Sequence, residues 1–400
     1  MTKKIIRLTS HVMEYAWGNK TFIPSILHQT PDGKPKAELW MGAHSFAPSF
    51  VPEENTSLIT YLQKHPSFVG KKCREKFGDA LPLLLKVLAI DKPLSIQCHP
   101  STSLAQQGWR KEEAYRKTHE RGEWNYKDPN RKAEIIYALT PITAMCGFVD
   151  AKKSLKVLQS LIPLGYQREF SSYQEEGTLL LKSLFTDLYT MDVSRRSQLI
   201  EEMMQNLEKK HLVLSSAPSK EFLSAEQIIK NCYQEYPTDP GLFCPILLNL
   251  VYLEKGEALY LEPRTLHAYV QGNGIELMSA SDNVLRGGLT HKKMDIQELF
   301  KVLQIKTTEI HKAQSHLDRF QRTVIESPVD EFSLIVMHDK TFCVDTAAFE
   351  LLFVEEGSAR IQSGEEEMSL SQGDTIIIHS DCHYQINCQG TVFVATVQLT

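Results

Sequence analysis

The sequence predicts a mainly β protein with a helical insert: two jelly-roll β-barrels plus an all-α domain. Three observations point there. Residues 1–150 and the stretch from 242 onward carry short apolar runs punctuated by Gly, Pro and Asx turns, the texture of strands. Residues 151–236 instead carry apolar residues at helical spacing, with few Gly or Pro. A weak internal repeat completes the case. Gly256-Glu257, apolar residues, Pro263 and His267 are echoed by Gly373-Asp374, apolar residues and His383. One turn of this kind is common, but two copies in β-rich surroundings argue for duplicated jelly rolls.

The elements follow in order. Ser57–Gln63 predicts a helix. Leu81–Ile90 and Pro93–Pro100 read as strand, turn and strand, with Asp91-Lys92-Pro93 at the turn. A second helix is expected near Thr102–His119, and Ala133–Phe148 reads as strand broken at Pro141. In the helical stretch, Leu155, Leu158, Leu161 and Ile162 mark one helix, Leu181, Leu184, Phe185 and Leu188 another, and Ile200, Met203, Met204 and Leu207 a third. Ser224-Ala225-Glu226-Gln227 has the form of a capping box ahead of a further helix. Tyr236–Gly241 ends the insert. Strands resume at Leu242, with turns at Lys255-Gly256 and Gly272-Asn273-Gly274, and a helix is expected over Asp295–Ile305. Leu351–Ile361 and Leu370–Ile386 are again β.

Composition narrows the class. At 42% hydrophobic and 23% charged residues, the 400-residue chain can bury a sizeable core, which excludes disorder and fibrous repeats. Lys+Arg 44 against Asp+Glu 49 gives a net charge of −5, without the basic excess of a nucleic-acid surface. Two lysines near the start have no apolar region behind them, and the longest apolar run is interrupted by Pro82 and Lys86, short of the roughly 20 residues of a membrane span. Eight scattered cysteines with no CxxC pair suggest reduced thiols in a cytoplasmic protein.

One constellation carries chemistry. Gln97 and His99 stand two apart on a predicted strand, so both point to one face while Cys98 points away. Glu134 starts the next β run, and His267 follows Pro263 near the end of a later strand. Two imidazoles, a carboxylate and an amide oxygen suit Zn²⁺ and would also accept Mn²⁺ or Fe²⁺; the bland alternative is two satisfied turn histidines. In Ser281–Lys293, Arg286 precedes two glycines, where backbone approaches a ligand closely, and Lys292 and Lys293 follow. Arg and Lys there suit a phosphate, and a solvated basic loop is the alternative. Lys132 shares a face with Glu134 and either takes part in proton transfer or is a plain surface lysine. Tyr15, Trp17 and Trp40 read as structural, and His119-Glu120-Arg121-Gly122 as a solvated helix end. No dinucleotide fingerprint, phosphate loop, nucleophile elbow or HExxH motif competes.

These residues carry a resemblance. Tyr15–Gly18, Glu38–His44, Leu81–Pro100, Tyr126–Pro141 and Leu261–Asp295 are similar to segments of type I mannose-6-phosphate isomerases, the zinc-dependent phosphomannose isomerase family. The resemblance implies one zinc on Gln97, His99, Glu134 and His267. It implies that Arg286 is the active-site arginine. Ser95, Lys86 and Lys292 correspond to phosphate-side and substrate-pocket positions, with Tyr269, Glu276 and Asp282 close by. Lys132 corresponds to a pocket lysine in proton transfer. It further implies a discontinuous catalytic domain of cupin type at 1–150 and 242–315, a helical domain at 151–241 and a C-terminal jelly roll at 316–400. The chain departs from the family at one place. Many relatives have His-Lys-Pro-Glu where Arg131-Lys132-Ala133-Glu134 stands, which puts a proton-transfer role for position 131 in doubt.

The function so implied is reversible isomerisation of mannose 6-phosphate and fructose 6-phosphate through an enediol. The base is left open among Glu276, Lys132 and a hydroxide held by the metal. A non-enzymatic sugar-phosphate sensor is the rival reading, but such a relative would be expected to lose a ligand or Arg286, and all five are present. Gln97 in a fourth ligand place argues against a cupin oxygenase. His379 and His383 of the second repeat lack ligand partners and are expected to serve packing. The partner is a small sugar phosphate, with neither nucleic acid nor membrane, and the chain is expected to be a monomer.

Overall fold

A computed structural model describes residues 3–209 and 217–399. The fold is sheet-rich with a helical insertion. Its first sheet has ten strands arranged around one long strand, His267–Ser279. That strand pairs antiparallel with Leu83–Ile90, Glu134–Ala138 and Ile142–Phe148, and touches Ile96–Cys98 at a single register position, His267 opposite Gln97. It serves several partners because it bends at Gly272, whose φ is +115° and where a Cβ would lie 2.3 Å from the Pro141 carbonyl oxygen.

The second sheet has nine strands, built on the antiparallel pair Glu350–Ser363 and His383–Thr396. The inner faces of the two sheets share one core, in which Leu85, Ile135 and Leu277 join Phe349, Ile377 and Phe393. One strand departs from the sequence reading. Ile5–Leu8, placed with the first barrel, pairs instead with Thr375–Ile378 of the second sheet. A four-residue strand fits either sheet edge, and strand patterning alone does not name the partner.

The insert contains helices Ala151–Leu161, Pro163–Glu169, Gly177–Thr190, Val193–Lys209 and Ala225–Tyr233. Their apolar stripes meet in a core with Leu158, Leu181, Phe185, Met203 and Ile228. The capping box at Ser224 is formed in both directions, its hydroxyl accepting from the Gln227 N–H. Ser224→Ala is therefore expected to lower stability by about 1 kcal/mol, measured by denaturant unfolding, without changing activity. Leu242–Leu247, expected as strand, is helical: Pro240–Phe243 and Cys244–Leu247 form two short turns started by Asp239, whose carboxylate accepts from the Gly241 N–H. A short, wholly apolar run lacks the period that separates strand from buried helix. The helix expected to run to His119 breaks into Thr102–Lys111 and Glu113–Arg116. No helix among the described residues is long and apolar enough to cross a membrane.

Candidate metal centre and cleft

Strand pairing gathers the candidate ligands. His267 lies opposite Gln97, which lies opposite Arg286, so three functional residues form one row across three strands. Glu134 begins its strand opposite Met278, on the far side of the long strand. His99 follows directly after Ile96–Cys98, while Cys98 is buried in the opposite core. His99, Glu134 and His267 are 2%, 3% and 4% exposed, and among the described residues they alone bring three metal-ligating side chains together.

The hydrogen bonds around this triad set its chemistry. His99 Nδ1 donates to the Asn283 carbonyl at 2.7 Å, and His267 Nδ1 donates to the Thr265 carbonyl at 2.9 Å. A carbonyl only accepts, so both imidazoles carry their proton on Nδ1 and, when neutral, present a bare lone pair at Nε2. Those lone pairs face Glu134 Oε2 at 3.4 Å and 3.2 Å. Burial pulls the His99 pKa down to about 4 against the attraction of Glu134, so this ring is neutral at physiological pH. His99 Nε2 has no hydrogen-bond partner. Burial would raise the Glu134 carboxyl, but the Lys132 ammonium 2.8 Å away outweighs it and holds the group ionised. Electron-rich atoms converging in a dry pocket repel one another unless a cation lies between them, so the donor set fits a divalent metal. Gln97 borders the same chamber, its amide N–H directed at the Ser95 hydroxyl 3.4 Å away, which leaves its carbonyl oxygen available.

A chamber of about 60 Å³ adjoins the triad, bordered by Ser95, Lys132, Tyr269 and Glu276. Lys132 Nζ is 2.8 Å from Glu134 Oε1. Opposite, Lys86 lies across the strand pair from Glu276, to which it donates at 3.0 Å, and is 3.2 Å from Glu38. Burial would lower the Lys86 pKa, but the two carboxylates more than reverse it. Burial raises Glu276, with Lys86 limiting the rise. Burial also raises the Tyr269 phenol far above its ordinary value.

The chamber opens into a cleft of about 430 Å³, in the size range of small-molecule sites. Arg286 and Lys292 line it and have no acidic partner among the described residues. Burial lowers both pKa values, and Arg286 lowers Lys292 further. Asp282 also lines the cleft, but its carboxylate is engaged by His44 at 2.9 Å and Arg121 at 2.6 Å. Those bonds overcome burial and hold it below the usual carboxylate range.

The site residues named from sequence thus lie at the triad, the chamber or the cleft wall, except Lys293, which donates to the Glu123 carbonyl at 3.2 Å and does not line the cleft. Several residues were missed. Tyr15, Trp17 and Trp40, read as structural, line the cleft, and Trp40 donates to Glu38 at 2.6 Å. Arg121, read as solvated, is indeed exposed, and it pairs with Asp282 at the rim of the cleft. Lys127, half-buried, is pushed down to about 8 by burial and by Arg286 and Arg121. Asn283 fastens His99 with its carbonyl and bonds the backbone of Asp128 and Asn130 through its side chain. Glu38 and Trp40 alternate on a strand beside Lys86, so the period-2 pattern would have placed them there had the pairing been known.

Comparison with known proteins agrees with this geometry. Residues 5–151 match the catalytic domain of type I phosphomannose isomerase, and residues 159–248 match that family's helical insertion domain. The mannose-6-phosphate isomerase of Escherichia coli (strain K12) is 34% identical over 387 residues, covering 93% of this chain and 94% of that protein. The enzyme of the same name from Salmonella typhimurium is 34% identical over 407 residues and 98% of each chain. A crystal structure of mannose 6-phosphate isomerase bound with zinc and yttrium superposes with a TM-score of 0.87 at 30% identity, over 99% of this chain and 100% of that one.

Proposed function

The chain belongs to the type I phosphomannose isomerase family, and from that premise we infer that its cleft interconverts mannose 6-phosphate and fructose 6-phosphate, as a zinc-dependent aldose–ketose isomerase. One observation carries the reading. A buried His-Glu-His triad lies at the inner end of a cleft whose wall holds two cations without acidic partners, Arg286 and Lys292. The inner end suits the reacting carbons and the outer end an anionic anchor.

Gln97, His99, Glu134 and His267 would hold the zinc. Bound there, it supplies positive charge beside the oxygens at C1 and C2, where charge develops in the enediol. The rest falls to the chain. Arg286 and Lys292 hold the phosphate, with Ser95 and Tyr269 bordering the sugar. Glu276 removes the proton from C2 as a carboxylate and returns it to C1 as the acid. Burial strengthens it as a base, and Lys86 keeps it ionised. Lys132, at the opposite wall, serves the accompanying proton shift between the two oxygens. Asp282 positions His44 and Arg121 at the rim and contacts substrate only if those bonds exchange.

The same reading assigns catalysis to 1–150 and 242–315, apart from the Ile5–Leu8 strand, the helical insertion to 151–241 and a jelly roll to 316–400. It takes the chain as a monomer and as cytoplasmic, the latter supported by eight cysteines that are all free thiols.

The test is turnover. Purified protein is expected to convert mannose 6-phosphate to fructose 6-phosphate and to leave unphosphorylated mannose almost untouched. Arg286→Ala should lower kcat/KM for the phosphorylated sugar by roughly 10- to 100-fold, the loss of one charged hydrogen-bonding anchor of about 1.5–3 kcal/mol. Absence of conversion by the wild-type protein would overturn the function. Unchanged kcat/KM in the variant would overturn the anchor.

A further inference from the structure

We propose that Glu331, on the C-terminal sheet side, is a positioning residue for the metal centre, acting through Arg131 on the segment that carries Lys132 and Glu134. The proposal rests on the zinc reading above. The segment 130–133 is irregular, and the sheet ladder takes hold only at Glu134. One backbone bond, from the Ser279 N–H to the Ala133 carbonyl at 3.0 Å, ties its end to the sheet, and side chains hold the rest. From one side, Ser279 does so: its hydroxyl accepts from the Ala133 N–H at 2.9 Å and donates to the Arg131 carbonyl at 3.0 Å.

The other side is held from the second barrel. Lys132 and Glu134 meet each other at the centre, 2.8 Å apart. Arg131 points elsewhere and grips Glu331 with both arms of its guanidinium, Nε to Oε1 at 2.7 Å and Nη2 to Oε2 at 2.6 Å. A two-point fork fixes direction as well as distance. The pair is 31% and 21% exposed, so it is partly shielded from water. Glu331 lies two residues before the strand Ser333–His338 of the second sheet. Arg131, which the isomerisation itself does not use, thus has a partner and a role. The second barrel steadies the ligand segment of the first.

A neighbouring pair supplies the control. Lys76 and Asp330 also join the two barrels, at 2.9 Å, without a hydrogen bond to the ligand segment, Asp330 reaching Arg131 only through longer-range attraction. The experiment measures zinc dissociation by competition with a chromophoric chelator, alongside kcat and KM for mannose 6-phosphate. It uses full-length wild-type protein, Glu331→Gln, Arg131→Lys and Asp330→Asn. Glu331→Gln is expected to weaken zinc binding by roughly tenfold and to lower kcat, with KM changed less than about twofold. Arg131→Lys keeps the charge but loses the fork, so its zinc affinity should fall between the two. Asp330→Asn should stay within about twofold of wild type. Zinc affinity unchanged in Glu331→Gln overturns the proposal. So does an equal loss in Asp330→Asn, which would make the effect one of barrel docking. Wild-type protein that retains no zinc sinks the functional reading instead, so the two failures are distinguishable.

Discussion

His267→Ala is expected to leave the protein folded but empty of zinc after dialysis, with kcat/KM for mannose 6-phosphate lower by about 10³-fold or more. The magnitude follows from the several kcal/mol of charge stabilisation that a catalytic metal supplies, at about 1.4 kcal/mol per tenfold. The fold should survive because the imidazole lies at a strand start, where its backbone still pairs with Gln97 and Cys146. Glu134 would keep His99 and Lys132 as neighbours. Chelation of the wild-type protein should give the same loss, slowly because the triad is buried, and added Zn²⁺ should restore activity to the wild type but not to the variant. The measurements are metal content by atomic absorption and conversion of mannose 6-phosphate. A variant that keeps one zinc per chain, or wild-type activity that survives complete metal removal, would defeat the assignment.

Part of this site was legible from local periodicity, whereas Lys86, Ser95, Tyr269, Glu276 and Asp282 came only with the family resemblance. Gln97 and His99 are two residues apart on a strand, so their shared face needed no knowledge of the fold. Ser224 announced its helix through a motif that closes within four residues. What periodicity cannot supply is the partner across the sheet. Trp40 faces Lys86 only because Glu38–Gly42 lies beside Leu83–Ile90. Arg121 meets the rim of the cleft only because Asp282, far along the chain, pairs with it. Ile5–Leu8 joined the wrong barrel in the sequence reading for the same reason. The run Leu242–Leu247 failed differently: apolar at nearly every position, it carries no period to read, and Asp239 and the prolines decided for helix. Errors therefore concentrate where a residue's role depends on a neighbour distant in sequence.

Glu276→Gln is expected to lower kcat by roughly 10²- to 10⁴-fold with little change in KM, the range for loss of a general base. The substitution conserves volume, and its amide oxygen can still accept from Lys86, so the strand register of Glu276 against Lys86 should persist. What it removes is the proton acceptor. Glu38, the other carboxylate beside Lys86, has its Oε2 engaged by Trp40 Nε1 at 2.6 Å and by Lys86 at 3.2 Å. Lys132 is held against Glu134, and replacing it should reduce zinc content together with activity, whereas Glu276→Gln should leave zinc content intact. The pH profile gives an independent check. Burial raises the Glu276 pKa above the ordinary carboxylate range, and only the ionised form accepts a proton. Activity should accordingly fall as pH is lowered through that raised value, giving an acid limb in kcat/KM above the range of an exposed glutamate. The limb should disappear in Glu276→Gln. Exchange of the C2 hydrogen of mannose 6-phosphate with deuterated solvent should vanish with it. An acid limb that persists unchanged in the variant, or a kcat within about tenfold of wild type, would transfer the role of base to Lys132 or to a group outside the chamber.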